Sequence, residues 1–113
     1  MAYIDRPSKE LLTYYRGTVS ALKVEQYDER DQIWFILDLT EETAALPPFG
    51  YTLPVGHEVH YLCIYRDIGT TVALAQLQLL RTALMERAEV GVWALRDLAT
   101  TTQFVYSVCL YPG

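Results

Sequence analysis

The order of hydrophobic patterns along the chain limits the possible folds more than any other feature. Apolar and β-branched residues alternate with polar ones, or dominate short runs, in five strand-like segments: 13–24, 33–40, 57–66, 90–96 and 103–111. Between the third and fourth of these, the segment from about 70 to 88 carries apolar residues at helical spacing. The sequence therefore predicts a mainly β fold with one long helix, in the order β-β-β-α-β-β.

The chain has the size of one domain and enough apolar residues to form a core. Of its 113 residues, 51% are hydrophobic and 20% are charged. A chain of this length buries roughly two thirds of its unfolded surface, so neither a metal nor a disulfide is needed for stability. We expect a single domain over residues 1–113, with a long loop at 41–56. A short helix is predicted at 7–12, because Ser8 is a favoured N-cap.

Two local features refine the predicted order of elements. Segment 53–59 reads LPVGHEV and leads into the third strand, and Gly17 lies inside the first strand. Together with the strand order, this lead resembles the OB-fold, a five-stranded, partly open barrel. The resemblance implies a five-stranded OB-like barrel whose first strand coils around both halves at Gly17. A mixed α+β sheet with the helix packed on one face is the alternative fold.

Residue types that serve catalysis and metal binding are present, but their spacing does not suit either role. His57, His60 and Cys63 form an H-x-x-H-x-x-C pattern. On a strand, His60 would face away from the other two, and His57 and Cys63 would lie about 20 Å apart. The sequence also lacks a nucleophile turn and a glycine-rich phosphate loop. We therefore expect no enzymatic activity, no metal and no cofactor.

The acidic residues are concentrated in one part of the sequence. The formal net charge is -5, and between Glu25 and Glu42 seven carboxylates accompany Arg30 as the single basic residue. The rest of the chain is close to neutral. We interpret residues 28–31 within this segment as a solvated hairpin turn, and the concentration of charge predicts a near-neutral barrel with one acidic corner.

An outward strand face is the main candidate for a functional surface. If Val19, Phe35, Val59, Tyr61 and Cys63 point inward, a mixed aromatic, aliphatic and basic set points outward. That set is Arg16, Trp34, Ile36, His60, Leu62, Ile64 and Arg66. The tip of the long loop, with Phe49 and Tyr51, is a second possible contact, unless the two rings plug one end of the barrel.

These patterns favour a non-catalytic binding or assembly module. An outward patch of Trp, Ile and Leu suits a protein partner or a homo-oligomer. The alternative is single-stranded nucleic acid, with Trp34 stacking on bases and Arg16 and Arg66 meeting phosphates. No apolar run is long enough to span a bilayer and no targeting segment is evident, so we expect a cytoplasmic protein with no membrane partner.

Overall fold

The structure, a computed structural model, describes residues 7–8, 11–27, 30–44, 52–65, 70–97 and 100–112. It contains seven strands and one helix in the described residues. In chain order they are β1 (Thr13–Tyr27), β2 (Arg30–Leu39), β3 (Thr43–Ala44), β4 (Thr52–Leu53), β5 (Glu58–Tyr65), α1 (Thr70–Glu86), β6 (Glu89–Arg96) and β7 (Gln103–Leu110).

The five long strands form a closed barrel in the ring order β1-β2-β5-β7-β6. All neighbours are antiparallel except β5 and β7, which are parallel. The helix α1 lies between the third and fourth barrel strands in sequence. The predicted mainly β barrel with its β-β-β-α-β-β order is therefore confirmed. The alternative fold, a mixed sheet with the helix on one face, is wrong. Each of the five strands has two paired neighbours, with β1 joining β2 to β6, so the sheet has no free edge.

The core fills the inside of the barrel, and α1 covers one side of it. Aliphatic residues from all five strands are buried there, and Leu80 and Ala83 of α1 join the same cluster. The helix packs against β1 and β7, and Gln76 donates a hydrogen bond to the Tyr106 carbonyl at 3.2 Å. Among the described residues, no helix combines the length and apolar character needed to cross a membrane.

Gly17 lies where β1 is shared between two neighbours. Its register partners are Leu39 on β2 and Val90 on β6, whereas β1 beyond Thr18 pairs with β2 alone. A Cβ at this position would overlap the Asp38 carbonyl oxygen and lie 2.7 Å from its carbon. Only glycine lets the β1 and β2 backbones approach this closely, so the predicted bend residue is the point at which the barrel closes.

A β-bulge in β5 changes which residues face the core. Phe35 pairs with Leu62 and Leu37 pairs with Val59, so two residues of β5 oppose the single residue Ile36 of β2. The extra residue is accommodated at Tyr61, which has a φ of 64°. Such a left-handed conformation costs a non-glycine residue about 1–2 kcal/mol. Because of the bulge, the side-chain alternation of β5 shifts by one position.

This shift overturns the predicted faces of β5. Leu62 and Ile64, which were expected to point outward, are 0% and 1% exposed and belong to the core cluster. Tyr61 was expected to point inward but is 55% exposed. Cys63 lies opposite Trp34, on the outer side of the barrel wall, although it is fully buried there. The inward and outward alternation predicted for β5 is therefore correct at Val59 and wrong for the residues after the bulge.

The long loop contains regular structure at its two ends. Strands β3 and β4 pair with each other, with Thr43 opposite Leu53 and Ala44 opposite Thr52. The loop tip with Phe49 and Tyr51 lies outside the described residues. At the N-terminus, the Leu11 amide donates a hydrogen bond to the Ser8 carbonyl at 2.9 Å. Residues 9 and 10 lie outside the described part of the chain, so the helix at 7–12 stays a prediction.

The acidic segment does not form one corner. Asp31 pairs with Gln26 near the turn of the β1–β2 hairpin, and Asp38 pairs with Thr18 at the other end of the same ladder. Asp38 is seven positions beyond Asp31 along the strand, which corresponds to about 23 Å at the usual rise. The negative charge is therefore divided between the two ends of the hairpin.

Replacing Gly17 with alanine tests the closure of the barrel. We expect Gly17→Ala to lower the free energy of unfolding by about 2–3 kcal/mol, because the new methyl group overlaps the β2 backbone. Ser20→Ala, at an exposed site on the same strand, is the matched control and should change it by less than about 0.5 kcal/mol. Urea denaturation measures both, and equal midpoints for the two variants would contradict the role of Gly17.

Candidate functional site

The bulge borders a groove on the outer face of β1, β2 and β5. Its volume is about 450 Å³. We call it the aromatic groove, and its lining residues are Ala21, Leu22, Lys23, Glu25, Trp34, Phe35, Ile36, His60 and Tyr61. It is the candidate functional site, because exposed aromatic and aliphatic side chains meet charged ones there.

Strand pairing fixes the position of Trp34 in the groove. Trp34 lies between Lys23 on β1 and Cys63 on β5. Its indole Nε1 donates a hydrogen bond to Gln32 Oε1 at 3.1 Å. Gln32 is itself buried, and this bond limits the rotation of the indole. The ring is therefore half-buried and held in one orientation.

Buried hydrogen bonds hold the bulge from inside the barrel. The Tyr15 hydroxyl donates to Gln103 Oε1, and Gln103 Nε2 donates to the His60 carbonyl at 3.1 Å. Both Tyr15 and Gln103 are buried, and β7 supplies the glutamine. The backbone at His60 is thus tied to the neighbouring strand β7 and, through Tyr15, to β1. The His60 and Tyr61 rings lie 6.1 Å apart between centroids.

Carboxylates lie at both ends of the aromatic groove. Lys23 Nζ is 3.4 Å from Glu25 Oε2, and the lysine side chain is 64% exposed. Beyond the lining at the other end, Asp38 and Glu58 are directly opposite each other on β2 and β5. His60 Nε2 is 3.5 Å from Glu58 Oε1. The charged lining residues are Glu25 and Lys23, and Glu58 lies in an adjoining cleft that also contains Arg96.

The structure brings together three of the seven residues predicted for the outward face. Trp34, Ile36 and His60 line the aromatic groove. The predicted outward orientation is wrong for Leu62 and Ile64, because the bulge directs their side chains into the core. Arg66 lies outside the described residues.

Arg16 also points outward, but it belongs to a different surface. Its guanidinium lies 3.9 Å from the centroid of the Tyr111 ring, and Nη2 is 3.2 Å from Glu89 Oε2. The Tyr111 and Tyr14 hydroxyls are hydrogen-bonded at 2.6 Å. A Cβ at Gly91 would lie 2.9 Å from the Tyr14 ring, so this glycine allows the cluster to close. Arg16 is therefore engaged within the β1–β6–β7 wall.

The titration of this second cluster follows from its contacts. A hydrogen bond from Thr40 and the Arg16 guanidinium lower the pKa of the Glu89 carboxyl. Burial and the hydrogen bond with Tyr111 raise the pKa of Tyr14. Glu89 thus stays ionised beside Arg16, and Tyr14 stays neutral. At neutral pH the cluster therefore contains the Arg16–Glu89 ion pair and the hydrogen bond between the Tyr14 and Tyr111 hydroxyls.

Sequence reasoning missed six of the nine groove residues, among them Lys23, Glu25 and Tyr61. A signal for the last was present, because the aliphatic residues Val59, Leu62 and Ile64 change phase by one position. Such a phase change indicates an inserted residue in the strand. Lys23 and Glu25 had no comparable signal, since only the β1–β2 register places them beside Trp34.

The histidines and cysteines do not form a metal site in the described part of the chain, where no three His, Cys, Asp or Glu side chains are grouped to hold an ion. His57 and His60 are exposed, whereas Cys63 is buried. Burial raises the pKa of the Cys63 thiol to about 12, with a further contribution from Glu25. Cys63 is therefore a protonated part of the barrel wall, and Cys109 is an exposed thiol.

This chain matches no protein-family model, no curated protein and no solved structure. The geometry of the described residues is therefore the basis for assigning a function.

The two thiols should differ sharply in reactivity. With Ellman's reagent at pH 8, we expect one thiol per chain to react quickly, because Cys109 is exposed and Cys63 is buried with a raised pKa. The second should react only after denaturant is added. Cys109→Ser should abolish the fast phase and Cys63→Ser should leave it intact. A fast phase that persists in Cys109→Ser would show that Cys63 is accessible.

Cys63 should also make stability depend on pH in the alkaline range. Its pKa is raised from 9.0 to about 12 by folding, so the unfolded chain releases this proton first. The contribution is complete below pH 9 and is lost as the pH rises towards 12. We expect the free energy of unfolding to fall more steeply over this range in the wild type than in Cys63→Ala. Parallel pH profiles from urea denaturation would contradict this expectation.

Proposed function

We propose that the barrel is an OB-fold domain that acts as a non-catalytic binding module. The OB assignment is supported by the ring order, in which the fifth barrel strand lies between the third and the fourth. It is also supported by the parallel pairing of β5 with β7 and by the position of α1 between β5 and β6. Domains of this class use the outer face of the second and third barrel strands for binding. The aromatic groove lies on that face.

We infer that the groove binds a segment of another protein chain. The observation that carries this inference is the bulge at Tyr61, which exposes 55% of a tyrosine beside Trp34 and Ile36. Bulges re-aim side chains at functional sites, and the strain at Tyr61 is repaid if its position is used. Tyrosine and tryptophan provide large contact areas at low entropic cost, which suits anchoring contacts in protein interfaces. A second copy of this chain is one possible partner.

Single-stranded nucleic acid is the second candidate, since Trp34 and Tyr61 offer two rings for base stacking. The charges around the groove weigh against it. Arg16 is engaged with Glu89 and Tyr111 on another surface. Lys23 is paired with Glu25, and Asp38 and Glu58 would repel phosphates. Because phosphate neutralisation supplies most of the affinity for nucleic acid, a protein partner fits this groove better.

The absence of catalysis and the cytoplasmic location are also proposals. Among the described residues lining the groove, His60 lacks a neighbouring serine or cysteine that it could activate. The two cysteines are unpaired, and one of them is exposed. Free thiols are typical of proteins that work in a reducing compartment, which supports the cytoplasm.

Selection from a random peptide library tests the proposed function. Peptides selected on the immobilised chain should bind the wild type and lose about tenfold or more in affinity for Tyr61→Ala and Ile36→Asp, because these changes remove anchoring surface. Leu74→Ala, at an exposed site on α1, is the matched control and should bind like the wild type. Sedimentation velocity of the same variants shows whether a second copy occupies the groove.

Two outcomes would contradict the proposed function. Selected peptides that bind Tyr61→Ala as tightly as the wild type would place the binding surface elsewhere. Tight binding of a labelled single-stranded oligonucleotide that falls with Trp34→Ala, together with no peptide binding, would favour the nucleic-acid alternative.

A further inference from the structure

We propose that the aromatic groove recognises a basic segment of its partner, with an arginine or lysine side chain entering between Trp34 and Tyr61. The proposal rests on the proposed function and specifies the chemistry of the partner. It follows from two independent features of the groove, namely the exposed ring faces and the placement of the carboxylates.

The two rings create a site suited to a cation. Trp34 and Tyr61 line the same groove from neighbouring strands, and Tyr61 lies across from Ile36, two positions after Trp34 on β2. The hydrogen bond to Gln32 restrains the Trp34 ring, and the bulge sets the backbone conformation from which Tyr61 projects. Ring faces attract cations through their quadrupole, most strongly for tryptophan, and preorganised rings lose little entropy on binding.

Two further carboxylates lie beside the groove, outside its lining, and among the described residues the ion pair found for them is the one between Glu58 and His60. Asp38 and Glu58 face each other across β2 and β5, an arrangement in which like charges destabilise a sheet. His60 Nε2 is 3.5 Å from Glu58 Oε1, and Arg96 lines the same cleft as Glu58. A basic side chain bound here would offset the repulsion between the two carboxylates. The repulsion between Asp38 and Glu58 therefore favours binding of a cationic side chain beside them.

The other end of the groove adds a third carboxylate. Glu25 lines the groove and is paired with Lys23 at 3.4 Å. Because 64% of the Lys23 side chain is exposed, it can move into solvent and leave Glu25 to an incoming cation. The net charge of -5 acts in the same direction, since it attracts basic chains and repels acidic ones during encounter.

A pair of synthetic peptides tests this proposal on the full chain. The probe is a blocked glycine-serine decapeptide with three central arginines, and its match carries citrulline, which has the same shape without the charge. In the background of Trp93→Phe, Trp34 is the only tryptophan and its fluorescence reports binding. We expect the arginine peptide to bind about tenfold tighter at low ionic strength, with the difference shrinking as salt is added.

Variants of the chain identify the groups involved. Asp38→Asn and Glu58→Gln should each weaken the arginine peptide by about threefold, and Tyr61→Ala should weaken it by about tenfold. Lys23→Gln should strengthen binding, because it frees Glu25. Glu86→Gln, an exposed carboxylate at the end of α1, is the control for net charge and should have little effect. Circular dichroism confirms that each variant is folded.

The outcomes separate this proposal from the proposed function. If the citrulline peptide binds in the groove as tightly as the arginine peptide, the groove binds protein segments but the preference for cations is wrong. If neither these peptides nor the library-selected ones bind in the groove, both proposals fail. Equal losses in Glu86→Gln and Glu58→Gln would show that net charge, and not the groove, attracts the peptide, which overturns the site.

Discussion

The rest of the structure depends on the single extra residue in β5. Two residues of β5 oppose Ile36 of β2, and the surplus places Tyr61 at a positive φ. The conformation costs about 1–2 kcal/mol. It also directs Leu62 and Ile64 into the core, where each buried aliphatic side chain contributes about 1.5–3 kcal/mol. The free energy gained by burying Leu62 and Ile64 exceeds the strain at Tyr61, so the bulge is stable. On the outer face, the bulge leaves the Tyr61 ring exposed.

The barrel interior and the aromatic groove are therefore parts of one arrangement. Tyr15 and Gln103 hold the His60 carbonyl from inside, and the same backbone carries His60 and Tyr61 on the outside. Neither Tyr15 nor Gln103 lines the groove, but a substitution at either would remove a hydrogen bond that positions the groove backbone. The groove is consequently preorganised, which favours binding because little entropy is lost when a partner is bound.

Charge and aromatic character are distributed over two separate surfaces. On the β1–β6–β7 wall, Arg16 is neutralised by Glu89 and stacked on Tyr111, so its charge serves the stability of that wall. Beside the aromatic groove, next to its lining residue His60, Asp38 and Glu58 lie opposite each other and their charges add. The same net charge of -5 thus describes one surface that is internally balanced and another that is suited to a basic partner.

The sequence by itself determined the element order, the single helix, the strand core and the special position of Gly17, because these depend on local hydrophobic period and backbone freedom. It also placed Trp34, Ile36 and His60 on the outer face. Only the tertiary structure decided the faces of β5 after Val59, the separation of Arg16 from Trp34, and the division of the acidic segment between two ends of a hairpin. These features depend on register between strands, and a shift of one residue in register reverses every side chain that follows.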